Sequence, residues 1–146
     1  MGYELHRGGG SECPDLGDLP DLATAEGLSF VERTRAEWAS GVNRFDGAGE
    51  CFFLAVSGDR TVGMCGLNLD PYLDEPAVGR LRHLYVHPQH RRAQIGQALV
   101  AACLSGAPAS FDRVRLRTTN PAADRLYRRL GFEAVEDPSA THQLRF

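Results

Sequence analysis

Apolar and polar positions along the chain fall into two periods. Leu81 to Val86 (LRHLYV) is dense in β-forming residues, and Pro88 stops the run because proline has no ladder donor. Past a tight turn, Ile95, Leu99, Ala102 and Cys103 recur at helical spacing, which predicts a helix beginning near Arg91 with one face packed inward. A second, shorter helix is written out in full between Asn120 and Gly131. Asn120 stands at the N-cap and Pro121 at the first helical position. Asp124 lies near the positive end, Arg128 and Arg129 near the negative end, and Gly131 can take a left-handed cap. Its inward face carries Ala123, Leu126, Tyr127 and Leu130.

The other segments are read around these two. Tyr3 to His6 predicts a short strand, followed by a loop from Gly8 to Pro20. Asp21 to Glu26 predicts a short helix closed by Gly27. Ser29 then caps a second helix that sets Phe30, Thr34 and Trp38 on one face and ends at Gly41. Cys51 to Val56 is an apolar run suited to a strand buried on both faces; Ser57 to Arg60 is a hairpin turn, and Thr61 to Leu69 the return strand. Arg113 to Thr118 alternates arginine with Val114, Leu116 and Thr118, so its three arginines are expected on a solvated face. Phe132 to Val135 and Thr141 to Phe146 can pair as a hairpin. The two strands flanking the long helix need a crossover and should lie side by side and parallel. The expected class is a mixed α/β (α+β) sheet in a single domain over 1–146.

Composition narrows the chemistry. With 42% hydrophobic and 24% charged residues the 146-residue chain can bury one core, which excludes a disordered segment. A net charge of −3 gives no general attraction to nucleic acid or anionic lipid, so neither partner is expected. All 16 basic side chains are arginine. Cys13, Cys51, Cys65 and Cys103 are far apart and without histidine at ligand spacing, which predicts free thiols and no metal. Together with the lack of an apolar leader or spanning run, this points to a cytoplasmic protein. The long helix's unpaired first N–H groups and positive dipole end, beside Arg91 and Arg92, suit a phosphate or pyrophosphate, and Gly96 lets a ligand approach the backbone.

Two motifs resemble those of one family. Arg91-x-x-Gln94-x-Gly96, after a strand ending Val86-His87-Pro88, is similar to the acetyl-CoA-binding motif of the GNAT superfamily of N-acetyltransferases. Gln94 stands where that motif usually has its first glycine. Asn120-x-x-Ala-x-x-Leu-Tyr-x-x-x-Gly-Phe132 resembles the segment the same superfamily carries after its fifth strand. The resemblance implies a mostly antiparallel six- to seven-stranded sheet with a splayed parallel central pair, acetyl-CoA as acetyl donor and no metal. It further implies a cofactor site made of Leu84, Val86, Arg91, Arg92, Ala93, Gln94, Ile95, Gly96, Gln97, Asn120 and Tyr127. In it the Leu84 N–H polarises the thioester carbonyl, the Val86 N–H bonds the pantetheine, and Tyr127 is the general acid for the departing thiolate.

The acceptor would be a primary amine of a small molecule, attacking directly in a ternary complex. A protein or peptide acceptor, or a silent acyl-CoA-binding module, are the rival readings, and a homodimer is left open. Family members often place a Glu or His near the start of the strand as a base; here those positions are Arg80 and Arg82, and His83 is the candidate proton relay. Arg80 and Arg82 share a face, so together they would clamp an anionic group on the acceptor, unless they pair with Asp70, Asp74 or Glu75.

Overall fold

The computed structural model describes residues 2–91 and 94–146. Seven strands form one sheet: β1 (Glu4–Gly8), β2 (Cys51–Ser57), β3 (Arg60–Leu69), β4 (Val78–Val86), β5 (Arg113–Leu116), β6 (Glu133–Asp137) and β7 (Ala140–Arg145), in the order β1-β2-β3-β4-β5-β7-β6. Every neighbouring pair is antiparallel except β4 and β5. This is the expected mixed sheet, at the upper end of the expected strand number.

Helices cover both faces. On one side α1 (Leu19–Ala25) and α2 (Phe30–Ser40) bury Leu19, Ala23, Val31 and Trp38 against Phe52, Leu54 and Met64. Trp38 is fully enclosed between Phe45 and Phe52, with its indole N–H donating to the Gly10 carbonyl at 3.1 Å. On the other side α3 (Ile95–Ser105) buries Ile95, Leu99, Val100 and Cys103, and Tyr127 of α4 (Pro121–Arg129) joins the same cluster. Each fully buried large side chain contributes roughly 1.5–3 kcal/mol, so these two stripes hold the helices in place.

Local signals set the helix ends. The Asn120 side-chain oxygen accepts from the Ala122 and Ala123 N–H groups, at 2.8 and 3.3 Å. At the far end of α4 the Gly131 N–H donates to Arg128 O and the Phe132 N–H to Tyr127 O, the Schellman arrangement, with Gly131 at φ +98°. Gly41 ends α2 in the same left-handed conformation, at φ +82°.

Two expectations are corrected. The long helix begins at Ile95, not near Arg91: Pro88–His90 form a separate 3₁₀ turn, in which the His87 ring accepts from the Gln89 N–H, and Gln94 takes a left-handed φ of +60° before the helix starts. The arginines of β5 are not all solvated. Arg115 is buried, 3.3 Å from the fully buried Asp70 carboxylate and bonded also to Ser139, because the loop after β3 folds Asp70 under the sheet.

The feature that makes a site is where the parallel pair stops. β4 and β5 are paired only from Val78 to Arg80 and from Arg113 to Arg115. Beyond Arg80 the two strands part.

Candidate functional site

A cleft of about 1210 Å³ occupies the opening between β4 and β5. Its floor is Leu81 to Val86; one wall is Leu116 to Asn120 with α4, the other is the α1–α2 connection with Phe30 and Arg33, and one end is the start of α3.

The floor is shaped by a β-bulge. The register of β4 on β3 slips between Met64 and Gly66, so that His83 and Leu84 together oppose Cys65, and His83 adopts φ +63°. The extra residue reverses the strand's alternation. Arg80 and Arg82 face the α2 side, and His83 stays on that side, its ring centroid 6.1 Å from those of Phe30, tilted, and Phe45, edge-on, while Leu84 and Val86 turn to the α3 side. Backbone direction follows. The His87 N–H donates to Val62 on β3 at 2.7 Å; alternation sends the Tyr85 amide the same way and those of Leu84 and Val86 into the opening.

At the end of the cleft, the first N–H of α3's run with an intrahelical acceptor is that of Ala98, bonded to Gln94 O at 3.1 Å. Among the described residues the amides of Ile95, Gly96 and Gln97 have no acceptor at the positive end of this eleven-residue helix. A Cβ on Gly96 would sit 3.7 Å from Leu126 and Val86, ordinary contact, so the glycine keeps the cleft end open without being required by packing. Gln94 lines the same end, and its left-handed φ explains why glycine is the easier residue there. Arg92 and Ala93 lie outside the described residues.

Arg91 is engaged elsewhere. Its guanidinium meets Glu26 at 2.7 and 3.0 Å, donates to the Val86 carbonyl and lies over the Tyr85 ring. The Tyr85 hydroxyl donates to the same carboxylate. The Arg91 bond, with the Tyr85 hydroxyl second, holds the Glu26 carboxyl below the usual range; burial, then Glu26, pushes the Tyr85 phenol up to about 12.

Tyr127 borders the cleft from α4 with 6% of its surface exposed, its ring 5.5 Å from Phe132 and 6.0 Å from His142. Its hydroxyl has no protein hydrogen-bond partner among the described residues, and burial drives its pKa far up, so the phenol keeps its proton throughout the physiological range. Asn120 borders the same wall, its side-chain oxygen committed to the α4 cap.

The proposed arginine pair is separated. Arg80 is buried, 3.4 Å from Asp70 and stacked 4.5 Å over Tyr72, and its positive charge is thereby compensated. Pairing with the preceding loop, the alternative weighed for both residues, holds for this one. Arg82 has no ion-pair partner among the described residues and lines the cleft. His83 is 7% exposed, and neither ring nitrogen has a partner among the described residues. Burial first, then Arg82 and Arg33, pull its pKa down to about 3, while the Phe30 backbone pulls the other way without reaching hydrogen-bond geometry. His83 is neutral at pH 7.

Glu26, Phe30 and Arg33 enter the cleft with no sequence signal that marks them. Only tertiary packing of the α1–α2 connection onto β4 brings them there.

The description that matches residues 48–134 is the acetyltransferase (GNAT) domain, and the chain belongs to this family. It is 36% identical over 97 residues to mouse N-acetyltransferase family 8 member 3, covering 63% of this chain and 42% of that protein. Over 90 residues it is 38% identical to human N-acetyltransferase 8, covering 58% of this chain and 39% of that one. The matched stretch thus spans about two-fifths of these relatives. A crystal structure from Exiguobacterium sp. 255-15, provisionally described as an acetyltransferase, superposes with a TM-score of 0.86 at 29% identity over 99% of this chain and 94% of that one. The Thermoplasma acidophilum PaiA N-acetyltransferase in complex with coenzyme A superposes at 0.68 over 100% of both chains, at 18% identity, a likeness of fold.

Proposed function

We propose that this chain moves an acetyl group from acetyl-CoA to a primary amine of a small molecule, by direct attack in a ternary complex. The observation that carries the reading is a line of backbone donors with no partner among the described residues: Leu84 and Val86 on the floor of the opening, then Ile95, Gly96 and Gln97 at the start of α3. An extended amide-bearing arm ending in a pyrophosphate has that sequence of needs, and the α3 terminus suits the anion. Acetyl-CoA supplies an activated acyl carbon and a thiol leaving group.

The residues of the chain divide the remaining work. The Leu84 N–H donates to the thioester carbonyl, whose oxygen gains charge as the amine attacks; the donor is fixed by the bulge and needs no reorganisation. The Val86 N–H bonds the arm, and Ile95 to Gln97 take the phosphates, joined by Arg91 when it leaves Glu26. Tyr127, kept protonated by its burial, donates to the departing thiolate as the C–S bond breaks and is reprotonated from water. His83, neutral and unpartnered, can accept a hydrogen bond from the attacking amine; its depressed basicity makes it a poor store for the proton released, which passes to water.

Thiol release from acetyl-CoA in the presence of a panel of small amines tests the reading. Turnover of small amines supports it. Binding of CoA without thiol release from any amine makes the chain a silent module, and turnover only of peptides moves the acceptor class.

A further inference from the structure

On the α2 side of the cleft, two cations have no acid beside them among the described residues. Arg33, on the exposed side of α2, bonds only the Ser29 hydroxyl, at 3.3 Å. Arg82 has no partner among the described residues. Both line the cleft, and both bear electrostatically on His83, so they bracket one spot on its α2 side. The other charges of that side are already matched: Arg80 by Asp70, and Glu26 by Arg91. A pair of uncompensated guanidiniums therefore flanks a buried imidazole that is also short of a partner, with the aromatic edge of Phe30 completing the spot.

We infer that the acceptor is an amine carrying an oxyanion, carboxylate or phosphate, and that Arg33 and Arg82 are the residues that select it. The inference rests on the transfer reading above and names its substrate class. Guanidinium forks match planar carboxylates and phosphate edges bidentately, and a partly enclosed site strengthens such bonds relative to water. A neutral amine lacking the anion would leave both cations and the His83 ring unpaired in the occupied cleft, which is where polar discrimination is largest. The pairing differs from the one suggested by the strand's period of two. Arg33 comes from another element, and it replaces Arg80, which Asp70 has neutralised. Arg125 and Arg129 border the opposite wall, on α4, and are not part of this spot.

The test uses two sets of twins: the common α-amino acids against their amides, and O-phosphoethanolamine against ethanolamine. Each is measured by kcat/KM for thiol release and, independently, by saturation-transfer NMR binding to the CoA-saturated protein. We expect at least one anionic member to be favoured over its uncharged twin by about tenfold or more, with the two sets showing which oxyanion is used. In Arg33→Gln, an exposed site whose substitution leaves the fold alone, the ratio should fall to within about threefold of one, and likewise in Arg82→Gln, with CoA affinity unchanged. No anionic preference in either readout, or a preference that survives both substitutions, overturns the inference. Uncharged amines turned over without preference sink it and leave the transfer reading standing. Anion-dependent binding that Arg33→Gln abolishes, in a protein that releases no thiol, supports it and sinks the transfer reading.

Discussion

Glu26 and Arg91 close one side of the cleft on each other, carboxylate to guanidinium at 2.7 Å. The contact ties the end of α1 to the turn that leads into α3, and it sets Arg91 against the wall facing the acceptor instead of against the phosphate end. If Arg91 serves phosphate, Glu26 competes for it. Glu26→Gln removes that charge while keeping the shape, so calorimetry should show CoA binding a few-fold tighter, since one surface ion pair is worth about 0.2–1 kcal/mol. Unchanged or weaker binding would show that Arg91 serves to anchor α1.

Tyr127→Phe keeps the ring against Phe132 and His142 and deletes the proton. Turnover should drop by about a hundred- to ten-thousand-fold with acetyl-CoA affinity little changed. Activity within about twofold of the unmodified protein would leave Tyr127 a packing residue.

Gly96→Val should abolish CoA binding in a folded protein. The first carbon has room beside Leu126 and Val86, but the added methyls reach towards the amides meant for phosphate. A calorimetric titration with the substitution in place, beside a circular dichroism melt, separates loss of the site from loss of the fold.

His83 gives the fold an acid-side liability. Its folded pKa of about 3 lies below the ordinary 6.5, so between those values the unfolded chain binds a proton that the native one refuses. Stability is therefore intact above about pH 6.5 and falls as pH drops towards 3, by up to about 1.4 kcal/mol per pH unit from this group. The groups facing the ring are the guanidiniums of Arg82 and Arg33 and the rings of Phe30 and Phe45. His83→Asn, which tolerates the left-handed backbone, should flatten the slope of melting temperature against pH over that range. A slope identical to that of the unmodified protein would mean that the imidazole is solvated enough to charge in place.

Asp70 is fully buried between Arg80 and Arg115. Asp70→Ala leaves the enclosed Arg80 without an acid and Arg115 with only Asp137, 3.6 Å away, and should cost about 3–5 kcal/mol in urea unfolding. A loss below about 1 kcal/mol would mean that water reaches both arginines.

Legibility in the sequence follows the range of the interactions. The α4 segment was readable because Asn120, Pro121 and Gly131 each act on backbone within a few residues. The β4 and α3 core faces were readable because burial repeats with the element's own period. The start of α3 is not legible, since Gln94 adopts a left-handed conformation for which glutamine gives no signal. The bulge at His83 was equally silent, having no glycine, and it alone decides that His83 and Arg82 share a side. The burial of Arg115 is hidden from strand alternation because its partner Asp70 belongs to a distant loop, and Glu26 and Arg33 reach the cleft only through packing of α1 and α2 on the sheet.

The short seam between β4 and β5 has a consequence for how the molecule breathes. Three residues of ladder on each strand, reinforced by Asp70 and Arg115, are what the sheet offers to hold β5, β6, β7 and α4 to the rest. In the absence of ligand, amides in that C-terminal segment should exchange with deuterium through an opening of lower free energy than the global one, while those of β2 and β3 wait for complete unfolding. An occupant that bridges the gap from Leu84 to the α4 wall would act as a missing rung and merge the two exchange classes into one.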